Sequence, residues 1–97
     1  MKRTNGCVIL TKSVRLTDGE SLFRLIETAD AFSEGWVYSL FVTTTENGTP
    51  QEEFLYDVSR SRRDAVDILR RLCTDGVKAS SLHSAVSRLL SEPVILP

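Results

Sequence analysis

At Ser59 the spacing of apolar residues along this chain changes, and that switch does most to limit the folds open to it. Before it, apolar side chains alternate as they do on strands; after it, they recur every three or four residues as on one side of a helix. Strands first and helices last make an α+β domain in which the helices lie on an antiparallel sheet. A chain of 97 residues has room for one such domain, spanning 1–97, with one modest core.

The strand half divides at two turn signals. In Cys7 to Leu16, Val8, Leu10, Val14 and Leu16 fall at period two, interrupted by Lys12. Asp18-Gly19 follows and reads as the centre of a type I′ hairpin turn, whose two central residues need positive φ. Ser21 to Phe32 is ambiguous, because Leu22, Phe23, Leu25, Ile26 and Ala29 also fit one helical face. The turn before it favours a returning strand, which is the expectation adopted, with residues 30–35 as the connection. Trp36 to Thr45 is almost wholly β-branched or aromatic, with Trp36, Tyr38, Leu40 and Val42 on one face and Val37, Ser39, Phe41 and Thr43 on the other. Asn47-Gly48 supplies a second hairpin turn, and Pro50 belongs at an edge or in the loop. Glu52 to Val58 returns with Phe54, Tyr56 and Val58 expected on one face.

The helical half has its ends marked. Ala65, Val66, Leu69, Leu72 and Cys73 form a stripe over about 61–74, with Ile68 at its margin; Ser61 and Asp64 stand at capping-box spacing, and Gly76 at the C′ position. A second stripe, Leu82, Ala85, Val86, Leu89 and Leu90, predicts a helix over about 80–91, stopped by Pro93. Together these elements predict a four-stranded β-meander over about 7–58, then a C-terminal helical hairpin packed on one sheet face. The apolar tail 94–97 needs either the core or a partner.

Composition excludes several function classes. Twelve basic and thirteen acidic residues give a net charge of −1, with no bulk pull toward nucleic acid or an anionic membrane. Neither a membrane span nor a signal peptide is visible. Cys7 and Cys73 form no CxxC spacing and read as reduced, buried thiols of a cytoplasmic protein. His83, the single histidine, has no partner motif for catalysis or zinc, and Glu52 and Glu53, adjacent on a strand, cannot converge on one substrate. The glycines make no phosphate-binding loop. No catalytic residue, metal site or cofactor is called for, and the reading is non-enzymatic.

The strand WVYSLFV, the step YDVS ending at Ser59, and the helices DAVDILRRL and SLHSAVSRLL resemble, in pattern and order over residues 20–92, a family of small clostridial and other Firmicutes proteins known only as a domain of unknown function. The resemblance implies strands before Trp36 and a bacterial cytoplasmic protein. It brings no catalytic residue.

Two features carry what functional signal there is. Residues 58–97 hold seven basic and four acidic side chains, whereas residues 1–57 hold five and nine, so a basic helical half faces an acidic sheet half. Arg60, Arg62 and Arg63 are candidate anion contacts, and a nucleic-acid-associated regulator using this helix is the alternative reading; against it stands the sequence pI of about 5.8. The second feature is surplus apolar content. Helices can cover only one sheet face, yet Val37 and Phe41 oppose Trp36, Tyr38, Leu40 and Val42, and Leu22 to Ile26 also loads both faces. Val37, Phe41, Val94, Ile95 and Leu96 are therefore candidate interface residues, and the expected function is a protein-binding or regulatory module acting on another protein or as a homodimer.

Overall fold

Four consecutive strands pair in chain order as an antiparallel meander: β1 (Cys7–Leu16), β2 (Gly19–Ala29), β3 (Trp36–Glu46) and β4 (Thr49–Ser59). Helix α1 (Arg62–Thr74), a 3-10 turn (Ala79–Ser81) and helix α2 (Leu82–Ser91) follow, in a computed structural model that describes residues 6–91. The expected α+β architecture is thus the observed one. Residues Ser21 to Ala29 are strand throughout, so β-pairing on both sides overrides their helix-compatible spacing.

One face of the sheet is closed by the helices. Phe23, Leu25, Tyr38, Leu40 and Val42 from the central strands pack with Ala65, Ile68, Leu69 and Leu72 of α1 and Leu82 and Val86 of α2. Ile68 lies inside the stripe rather than at its margin, while Leu90 is 60% exposed and outside it. Two hydroxyls enter this layer and are satisfied: Thr44 Oγ1 accepts the Ala79 N–H at 2.8 Å and shares a 2.7 Å hydrogen bond with Ser21 Oγ. They seat the 3-10 turn on the sheet, and Lys78 adds an ion pair to Glu46 at 2.7 Å.

Helix α1 is bounded as its sequence predicts. Ser61 Oγ accepts the Asp64 N–H at 3.3 Å, but the Ser61 N–H goes to Ser59 Oγ at 3.0 Å, so the capping box is only half made. At the other end Gly76 has φ +65°, and the bonds from Gly76 N–H to the Cys73 carbonyl and from Val77 N–H to the Leu72 carbonyl complete a Schellman cap.

The hairpins correct three expectations. Asn47 and Gly48 have φ values of 53° and 80°, as a type I′ turn requires. Asp18-Gly19 is not such a turn: Leu16 pairs with Gly19, which already belongs to β2, where a Cβ would lie 1.7 Å from the Thr45 carbonyl oxygen. Glycine is needed there for close approach between strands and not for positive φ. A bulge between Val8 and Leu10 turns Val8 to the open face, away from Leu10, Val14 and Leu16. A larger bulge in β4, between the pairs Leu40–Leu55 and Tyr38–Ser59, moves Val58 into the helix-side core and away from Phe54 and Tyr56. Asp57 sits in that bulge at φ +58°, and its N–H donates to Ser39 Oγ at 3.1 Å.

Candidate protein-binding face

The strand register fixes what stands on the side away from the helices. Across the sheet, Val8 pairs with Ile26 and Ile26 with Ser39; Thr11 pairs with Arg24, Arg24 with Phe41, and Phe41 with Phe54; Ser13, Leu22, Thr43 and Glu52 form the next row. Tyr56 shares the face with Phe54. These rows place aliphatic and aromatic side chains at the centre of the face and put Arg15, Glu20, Pro50 and Glu52 toward its hairpin end. Val8 is 52% exposed, Phe54 49% and Tyr56 59%. An aromatic and aliphatic centre with a charged border is the anatomy of a protein interface.

One charge lies within the centre. The Arg24 guanidinium carbon is 5.6 Å from the Phe41 ring centroid, within cation–π range. Arg24 thereby lies against the aromatic row.

Both sheet edges are guarded while this face is not. On β1, Lys12 stands on the helix side opposite Phe23, and the Val8–Leu10 bulge interrupts the outer strand. On β4, Pro50 removes a donor and the bulge around Asp57 breaks the ladder. Inward-pointing lysine, proline and bulges all oppose the pairing of another strand along an edge.

The candidate residues separate cleanly in the structure. Phe41 lies in the centre of the face, half-buried between Arg24 and Phe54. Val37 shares its side of the sheet but is only 1% exposed, so it is closed to a partner. Val94, Ile95 and Leu96 lie outside the described residues. Arg60 is bound within the chain: it contacts Asp30 at 2.7 Å and Asp57 at 3.6 Å, tying the β2–β3 loop to the β4–α1 junction. Arg62 and Arg63 are exposed on the first turn of α1. Val8, Arg24, Phe54 and Tyr56 were not singled out from sequence; the alternation of their strands was visible, but not which side the helices would leave open.

Asp30, Tyr38 and Cys73 are shifted by their surroundings. Asp30 accepts the Phe32 N–H at 2.9 Å and the Ser33 hydroxyl at 2.8 Å; these bonds, with Arg60, hold its carboxyl down at about 2. The loop so fixed carries Phe32 almost fully exposed beside half-exposed Trp36. Tyr38 donates to Glu27 Oε2 at 2.7 Å, and that bond, together with burial, raises its pKa. Cys73 is partly buried, and burial pushes its thiol up. Cys7, expected to be buried, is exposed on the edge strand, because the helices do not reach it. Among the described residues no cluster of His, Cys, Asp or Glu could hold a metal ion, and no helix is long and apolar enough to cross a membrane. The chain matches no protein-family model, no curated protein and no solved structure.

Proposed function

We propose that this protein is a non-enzymatic binding module whose working surface is the open face of the sheet, and that the face is occupied by a second copy of the chain. The observation that carries the reading is the Phe41–Phe54 pair with Tyr56, Val8 and Ile26, an apolar centre left uncovered on a sheet whose two edges are both guarded. With both edges closed to an added strand, the face is the part of the sheet left for a partner.

Size supports the choice of occupant. Strands of about 10 residues at about 3.4 Å each, four abreast at about 4.8 Å, make a face of roughly 650 Å². Thr28, Val37 and Ser39 at the far end of the face are already closed within the chain, so two such faces together remove at most roughly 1,100 Å² from water, near the lower end of specific interfaces. The face also balances in charge, with Arg15 and Arg24 against Glu20 and Glu52, so two copies do not repel. The exposed thiol of Cys7 fits a reducing, cytoplasmic setting.

The test is substitution on the face. Phe54→Asp, at a half-exposed position, is expected to leave the circular dichroism spectrum unchanged and to convert a dimer at tens of micromolar into monomer; Phe41→Asp is expected to do the same. Association unaffected by both would overturn the proposal. Retardation of random duplex DNA at low salt, lost in Arg62→Glu with Arg63→Glu, would instead support the nucleic-acid reading.

A further inference from the structure

On the helical side of the molecule, away from the open sheet face, the end of α1 and the first turns of α2 border a cavity of about 620 Å³. That volume falls within the range of small-molecule sites, about 300–1,000 Å³. Its floor is apolar, made by Leu72 of α1, Val77 of the connection, and Ala85 and Leu89 of α2. Leu72 is closed within the core, and the other three are part-exposed. The connection that shapes the cavity is pinned at both ends. Gly76, at φ +65°, ends α1, while Thr44 Oγ1 holds the Ala79 N–H and Glu46 holds Lys78, so the cavity is formed before any ligand arrives.

Two opposite charges stand on its walls. Asp75 is the C-cap of α1, where the helix dipole adds partial negative charge. Ser81 and Ser84 flank the start of α2, and Arg88 follows Ser84 by one turn on the same side. Lys78 also lines the cavity, but Glu46 neutralises it at 2.7 Å. Asp75 and Arg88 are exposed, and among the described residues neither makes an ion pair, with the other or with any third group.

We propose that this cavity binds a small zwitterion, a free amino acid with an apolar side chain. Its ammonium goes to Asp75, its carboxylate to Arg88 and the hydroxyls of Ser81 and Ser84, and its side chain lies on Val77, Ala85 and Leu89. A simple anion would meet the carboxylate of Asp75, and a simple cation the guanidinium of Arg88. A zwitterion satisfies both walls with charge-assisted hydrogen bonds and brings no net charge to a pair that itself sums to zero. The site is independent of the homodimer, because it lies on the other side of the sheet.

The experiment follows the amide resonances of the full chain by NMR at a pH of about 6.5, where an α-amino group is charged. L-leucine is added to about 20 mM, which saturates a millimolar site. N-acetyl-L-leucine, without the ammonium, and L-leucinamide, without the carboxylate, are the comparison probes. Saturable shifts at Gly76, Val77, Ser81 and Ala85 with L-leucine, and binding weaker by about tenfold or more with each analogue, are the expected result. Arg88→Gln should bring L-leucine down to the affinity of L-leucinamide, and Asp75→Asn to that of N-acetyl-L-leucine, with the remaining resonances showing that the fold is kept. No saturable shift at those four amides, or binding of either analogue as tight as that of L-leucine, would overturn the inference. Neither outcome bears on whether the chain is a dimer.

Discussion

The two faces of this sheet are made by the same four strands, and they differ in how completely each is finished. On the helix side, Leu25 and Leu40 are wholly buried and even the hydroxyls of Ser21 and Thr44 have partners. On the other side, Phe54 and Tyr56 stand exposed and Phe41 half-buried beneath Arg24, with no second layer of helices over them. A sheet that closes one face so fully and leaves apolar side chains on the other divides its tasks in the reading proposed above: the first face holds the fold, and the second makes contacts. If that division is real, substitutions on the first should cost stability, and substitutions on the second should cost association.

The largest difference is expected between neighbours on opposite faces. Leu40→Ala removes a fully buried side chain beneath α1 and should lower unfolding free energy by about 2–5 kcal/mol. Phe54→Ala, measured in urea at a concentration where the chain is monomeric, should cost about 1 kcal/mol or less, the size of a cross-strand pair. Equal losses would erase the contrast. Next in size, Thr44→Val leaves the Ala79 N–H without its acceptor and should cost about 1–3 kcal/mol in the same assay. Ser61→Ala removes the α1 cap and should cost about 1 kcal/mol, leaving dimer affinity unchanged.

The smallest effect tests a junction that belongs to neither face. Asp30 ties the β2–β3 loop to Arg60, and its carboxyl is lowered from 3.8 to about 2, first by the Phe32 N–H and then by the Ser33 hydroxyl and Arg60. A carboxyl depressed in the folded state stabilises it above the unfolded value and loses that contribution as pH falls through the folded one. The Phe32 amide resonance of the folded chain should therefore hold steady from neutral pH down to about pH 3 and move through a midpoint near pH 2. In Asp30→Asn that acid transition should be absent.

Much of this contrast is legible in the sequence, for reasons that differ by element. The switch of period at Ser59, the Asn47-Gly48 turn and the Ser61 and Gly76 caps are local, so adjacent residues suffice to read them. The double loading of β3 was visible too, which is why Phe41 stood out as a contact residue. What escaped depends on partners far along the chain. Nothing near Asp57 announces its positive φ; the bulge is held by Ser39 on the next strand, and it decides that Val58 goes inward while Phe54 and Tyr56 stay out. Gly19 serves an approach to Thr45, and Arg60, which looks like an anion contact in sequence, is taken by Asp30. Val37 looked as available as Phe41 because both alternate alike, yet it is almost wholly buried.

The claim that the open face is finished by a second copy is tested most directly by the mass of the untagged chain in solution, measured by light scattering behind size exclusion at tens of micromolar. The account predicts a particle of twice the 10.8 kDa chain mass that falls to one chain mass in Phe54→Asp. A single chain mass for the unaltered protein at that concentration would contradict it.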